Sequence, residues 1–254
     1  MCLITFQWQP NAENSLILSA NRDEFFHRPT KALHNWPNIE GIYAGKDLSQ
    51  GGTWLGVHKN GRFAALTNHR DMTIKEPKNP ISRGNLALDF LASNTAPLEY
   101  LQSLEAKAEL YAGFNLLVAD KDQLVYFSNR SHQTPRILTP GIYGLSNALL
   151  DSPWPKLQLA KQQLTDWLAK KDPQLPLVGL LASTATAEDS LLPNTGIGLE
   201  TERMLSCQKI ISPSYGTHCS TGLIINRQHI QIDEISWQTN GDKLDEKSYR
   251  IALV

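Results

Sequence analysis

The sequence has little that would hold a metal or build a disulfide scaffold. Cysteine occurs three times, at Cys2, Cys207 and Cys219. An odd number with no Cys-x-x-Cys pair argues against a disulfide framework, a zinc knuckle and covalent c-type haem attachment. The seven histidines show no His-x-x-x-His or similar ligand spacing, so no structural metal site is expected. Charge of one sign is also missing. Lys plus Arg number 24 and Asp plus Glu 25, which leaves nothing to draw the chain onto a phosphate backbone, and nucleic acid is not an expected partner. Long apolar runs are absent too: stretches such as 177–182 stop far short of the roughly 20 residues of a transmembrane helix, so none is expected. The opening Met1-Cys2-Leu3-Ile4-Thr5-Phe6 carries no basic leader and no small-residue cleavage site. A cytoplasmic protein with reduced thiols is expected.

What is present is globular material. Of 254 residues, 41% are hydrophobic and 19% charged, which excludes a disordered or fibrous chain. A chain this long buries roughly 70–75% of its unfolded surface and folds without a required cofactor, and one domain over 1–254 is expected. Two strands, 2–8 and 15–20, flank a turn-rich segment and read as a hairpin. A polar stretch follows over 21–37, then strands near 42–44, 53–58 and 62–68. Helical spacing begins at Ser82, a candidate N-cap, with a second helix from Pro97 to about Ala108. Strands return at 114–119, 124–128 and 142–145, then helices over 154–170 and 177–183, a loop over 184–198, and strands at 221–225, 230–237 and 249–254. This order lacks regular βαβ alternation and fits two antiparallel sheets covered by helices, an α+β fold.

Cys2 directly follows Met1. Removal of Met1 would put a thiol and a free α-amine on one residue, a nucleophile beside a base. The amine titrates near 7.7–8.0 and the thiol near 8.5, so the amine can accept the thiol proton at little cost. Equally, Cys2 reads as a small hydrophobe opening a strand. The strand at 15–20 runs into Asn21-Arg22-Asp23-Glu24, which a hairpin would return beside Cys2. There Asp23 could hold an ammonium, Arg22 could lower the thiol pKa or bind a carboxylate, and Asn21 could donate to an oxyanion. A charged turn whose groups pair among themselves is the other reading of the tetrad.

Asn21-Arg22-Asp23-Glu24 behind Met1-Cys2 resembles the signature of the NRDE family, also called the transport and Golgi organisation protein family. Gly51-Gly52-Thr53-Trp54-Leu55-Gly56, Ala65-Leu66-Thr67-Asn68, Gly113-Phe114-Asn115-Leu116, Tyr143-Gly144-Leu145-Ser146-Asn147 and Tyr215-Gly216-Thr217 are similar to further family segments, in family order. The resemblance implies an N-terminal nucleophile hydrolase fold, a four-layer αββα sandwich. It implies Cys2 where choloylglycine and penicillin acylases keep their nucleophile, Asp23 near the end of the second strand, and Asn147 in an oxyanion context. Where the family often has arginine after Tyr-Gly-Thr, this chain has His218. A neutral or pH-dependent contact, or a ligand to metal or haem iron, would follow there.

The resemblance also implies a small-molecule ligand. Members have been linked to haem mobilisation and to acyl-coenzyme A or lipid metabolism, so a binding or trafficking role for an amphipathic molecule is expected. Non-covalent haem would be the cargo, acyl-coenzyme A the other candidate, and Asn21, Arg22 and His218 the ligand-binding residues. The alternative is an amidohydrolase with Cys2, Asp23 and Asn147 as catalytic residues. The glycine-rich 51–56 lacks the Gly-Lys-Ser/Thr ending of a phosphate loop and reads as a turn before a strand that packs Trp54.

Overall fold

A computed structural model describes residues 2–170 and 176–254. Two antiparallel sheets lie face to face. The first has six strands in the order β10-β1-β2-β11-β12-β13, and the second has seven in the order β3-β4-β5-β6-β7-β8-β9. The first sheet comprises β1 (Cys2–Trp8), β2 (Asn14–Phe25), β10 (Gly141–Leu145), β11 (Tyr215–Asn226), β12 (His229–Trp237) and β13 (Lys243–Ala252). The second comprises β3 (Thr30–Asn35), β4 (Ile42–Asp47), β5 (Leu55–His58), β6 (Phe63–Asn68), β7 (Phe114–Ala119), β8 (Leu124–Ser128) and β9 (Arg136–Ile137). Helices α1 (Gly84–Ala92) and α2 (Pro97–Glu105) cover the second sheet, while α3 (Pro155–Leu168) packs on β1 and β10 of the first. A short α4 (Leu199–Met204) follows a loop. The layers run helix, sheet, sheet, helix, as expected for an N-terminal nucleophile hydrolase fold.

Side-chain alternation along the strands builds this order. On β1 and β2, Ile4, Phe6, Trp8, Leu16 and Leu18 point into the core between the sheets. Leu3 and Ile17, one residue out of phase, meet α3 and the 3₁₀ turn at Leu177–Gly179. Both faces of these strands are therefore buried. In α3, Leu157, Ala160 and Leu164 recur at helical spacing and are buried, and Pro155 occupies the first turn, where its missing N–H costs nothing.

The differences from the sequence reading have local causes. The second strand continues through the polar tetrad to Phe25, because β1 and β11 flank Asn21 and Arg22 and β11 goes on to pair with Asp23, Glu24 and Phe25. Strands β3 and β9 and helix α4 lie where no element is legible. Ser82 is not the cap of α1, whose first position is preceded by Arg83 with no side-chain cap. The expected helix over 177–183 is only one 3₁₀ turn.

Candidate functional site

The register of the first hairpin decides the site. Cys2 lies opposite Arg22, and Leu3 opposite Asn21. On the other side of β2, β11 pairs Cys219 with Arg22 and Thr217 with Asp23, and the register shifts between them. His218 is the extra residue of this bulge, which lets Thr217 and Cys219 both serve β2. Because side chains alternate, Cys2, Arg22 and Cys219 share the face toward the second sheet. Asn21 and Asp23 project to the opposite face.

A cleft opens at this end of the sandwich. Its first lobe, about 260 Å³, is lined by Cys2, Arg22, Asp23, Trp54, Arg83 and neighbouring groups. A second lobe, about 470 Å³, includes Phe25, His69, Met72, Ile74, Asn147 and Tyr215. Glu24, Asn68 and Arg83 line both lobes, so the two adjoin. The first lobe is arginine-rich, whereas the second takes its apolar wall from Phe25, Met72 and Ile74.

Arg22 is 5% exposed. Its guanidinium carbon sits 4.3 Å from the centre of the Trp54 ring, and Nη1 donates to the Thr30 hydroxyl at 3.3 Å. Gly45 makes room for that ring: a Cβ there would lie 2.3 Å from Trp54 Cζ2 and Cη2. Burial pushes the Cys2 thiol up, and Arg22 opposes this more weakly, so the expected thiolate is not favoured by its surroundings. Asp23 is fully buried. Its Oδ1 accepts from the Thr217 hydroxyl at 2.6 Å. Burial pushes its carboxyl up, offset first by the charge of Lys156.

Lys156 was not legible in the sequence as a site residue. It is 4% exposed, donates from Nζ to the Leu205 carbonyl at 2.9 Å, and burial lowers its pKa against the pull of Asp23. Helix α3 carries it to the face of the first sheet on which Asp23 lies. Glu234 is a second buried carboxyl, between the sheets, accepting from the Leu33 N–H at 2.7 Å. Burial pushes it up as well.

The family-like segments converge in a polar network. The Ser146 hydroxyl donates to the Cys2 carbonyl at 3.0 Å, and Thr67 donates to the Ser146 carbonyl at 2.6 Å. The Asn147 amide donates to the Asn68 carbonyl at 2.8 Å, and the Asn115 amide donates to Thr67 Oγ1 at 3.0 Å. Strands β6 and β7 of the second sheet are thereby tied to the carbonyl of Cys2 on the first.

Of the residues singled out in the sequence, Cys2, Arg22 and Asp23 line the first lobe and Asn147 the second. Asn21 and His218, expected among the ligand-binding residues, line neither lobe. Asn21 is 1% exposed; its amide donates to the carbonyls of Leu181 and Gln208, and its oxygen accepts from Ser220. Both ends of its amide are thus engaged on the helix side of the sheet. His218 stacks on Phe26 at 4.7 Å. Burial lowers its pKa to about 4, so it is neutral at ordinary pH. His69 is the histidine that lines the cleft, half-buried and with its pKa lowered by burial.

Layer order, strand order and a buried cysteine at the start of β1 define a protein of N-terminal nucleophile hydrolase fold. Among solved structures, a Caenorhabditis elegans N-acylethanolamine-hydrolyzing acid amidase ortholog is similar in fold, with TM-score 0.51 and 11% identity over 88% of this chain and 92% of that one. The chain belongs to the Transport and Golgi organisation 2 family, whose match spans residues 1–238. Its relatives include the Transport and Golgi organization protein 2 homologs of Bos taurus and Homo sapiens. Each is 36% identical over 258 residues, covering 93% of both chains. The Drosophila melanogaster protein is 28% identical over 64% of this chain and 63% of its own length. Among the described residues, no helix is long and apolar enough to cross a membrane, and no cluster of three or more His, Cys, Asp or Glu side chains could hold a metal ion.

Proposed function

We propose that the chain is a cytoplasmic binding and trafficking protein for an amphipathic, anionic small molecule, with haem and acyl-coenzyme A as the cargo classes. The observation that carries this reading is the two-lobed cleft. An arginine-rich lobe adjoins one walled by Phe25, Met72 and Ile74, which matches a ligand with an acidic end and an apolar body. The free, buried state of Cys2, Cys207 and Cys219 supports a reducing compartment. Arg22 is held at the polar end without a carboxylate partner within 4 Å among the described residues. Titration of the purified protein with haem and with acyl-coenzyme A is expected to show saturable binding of at least one. Arg22→Met should weaken it by about tenfold or more, the worth of a charge-assisted hydrogen bond. Absence of binding to both ligands would remove the proposal.

A second reading is favoured by one placement: Cys2 lines the cleft beside Arg22 and Asp23. If Met1, which lies outside the described residues, is removed, the Cys2 thiol would attack an amide carbonyl while its α-amine, oriented by Asp23, takes the proton and passes it to the leaving amine as the C–N bond breaks; water would then hydrolyse the thioester. This reading expects the intact mass to lack Met1 and Cys2→Ser to abolish turnover of amide substrates. A retained Met1 ends it.

A further inference from the structure

The first lobe is more than a generic basic patch. Arg22, Arg28 and Arg83 line it with Asp23, Glu24 and Asp47, and they do not pair evenly. Asp47 is taken by Arg28, which reaches its Oδ2 at 2.7 Å from Nη2, while its Oδ1 accepts the N–H groups of Ser49 and Gln50. Glu24 lies 4.0 Å from Arg28 and accepts the N–H of Phe25. Asp23 is turned to the far side of the sheet and bonded to Thr217. Arg22 and Arg83 are left as cations that donate to neutral oxygens, the Thr30 hydroxyl and, at 2.8 Å, the Gly113 carbonyl.

The wall between them is the start of α1. Ser82, Arg83 and Gly84 line the lobe. This nine-residue helix has no side-chain cap and no acidic residue in its first turn. Gly52 allows the helix start to come this close, because the Thr53 N–H donates to the Gly84 carbonyl at 3.2 Å and a Cβ on Gly52 would lie 2.3 Å from the Gly84 carbonyl carbon. A buried guanidinium, a second one and an uncapped helix start therefore face one cavity. Donors in several directions suit a tetrahedral dianion better than a planar carboxylate.

We propose that Arg22, Arg83 and the start of α1 form a phosphate-binding subsite, which takes the phosphate-bearing head of the cleft's ligand. The proposal rests on the amphipathic-ligand reading and narrows it to phosphate esters. The same chemistry would accept free phosphate, so the test separates the two sources.

Binding of inorganic phosphate, dodecyl phosphate and dodecanoate to the full-length protein is compared by calorimetry. Dodecyl phosphate is expected to bind at least about tenfold more tightly than dodecanoate, and Arg83→Met should remove that preference. Inorganic phosphate binding as tightly as dodecyl phosphate would assign the subsite to the free ion and overturn the ester proposal. Because Arg83→Met also loses the bond to Gly113, Ser82→Asp provides a second variant. It places a carboxylate at the helix start, which favours the helix, and is expected to keep or raise the melting temperature while phosphate binding falls. Equal affinity for the two dodecyl ligands, or phosphate binding unchanged in both variants, overturns the subsite. Haem or acyl-coenzyme A binding without any effect of Arg83 leaves the amphipathic reading standing alone. Inorganic phosphate binding without either amphiphile would end that reading instead.

Discussion

Lys156→Met is expected to lower stability by about 1–3 kcal/mol at pH 7.5, because the buried Leu205 carbonyl loses its donor and the buried Asp23 carboxylate loses the largest charge that offsets its burial. The wild-type arrangement explains the size. Asp23 is fully buried and Lys156 is 4% exposed, and the charge of each is the largest influence opposing the other's desolvation. Methionine nearly preserves the volume of the lysine stem, so the loss isolates the charge from the packing. The double variant Lys156→Met/Asp23→Asn should recover part of the stability, because a neutral amide at 23 no longer needs the lysine's charge.

The pH dependence separates this account from simple misfolding. Burial raises the Asp23 carboxyl above its ordinary value of 3.8, and loss of Lys156 raises it further. A carboxyl raised in the folded state favours folding fully below 3.8, and that contribution disappears as pH rises through the folded value. The deficit of Lys156→Met should therefore be small near pH 4 and grow toward pH 7.5, measured by urea unfolding at both. A deficit independent of pH would mean that Asp23 does not feel Lys156.

Strands that bury both faces, such as Cys2–Trp8 and Phe114–Ala119, are legible in the sequence because their apolar runs are bounded by turn residues. The return of the tetrad to Cys2 is legible too, since a hairpin with so short a turn leaves few registers. Which tetrad members face the cleft is a separate matter. Alternation puts Arg22 with Cys2 and turns Asn21 and Asp23 away, and the absolute face depends on where the second sheet lies. Lys156 lies in α3 and Arg83 just before α1, and both helices have ordinary local patterns; only the docking of α3 and α1 brings these residues to β2 and to the cleft. His218 looks like a site residue because of its motif, yet the bulge that aligns Thr217 and Cys219 with β2 sends its ring onto Phe26. Such pairings are long-range and leave no mark in local periodicity.

Gly52→Ala is expected to destabilise the protein by about 3 kcal/mol, at the upper end for overpacking, while Gly51→Ala should cost only about 1 kcal/mol. The neighbouring glycines exist for different reasons. Gly51 has φ +80° with nothing within 4 Å of an added Cβ, so alanine meets backbone strain alone. Gly52 has no such φ, but its Cβ would lie 2.3 Å from the Gly84 carbonyl carbon and 2.6 Å from the oxygen. Backbone cannot swing aside as a flexible side chain can. The loop must separate from α1, which breaks the Thr53 to Gly84 hydrogen bond and shifts Trp54, the plate under Arg22. The consequence reaches beyond stability: Gly52→Ala should weaken ligand binding even under conditions where it remains folded, whereas Gly51→Ala should bind as the wild type does. Urea unfolding with parallel titration checks both, and equal costs for the two substitutions would show that the loop and helix start are not in rigid contact.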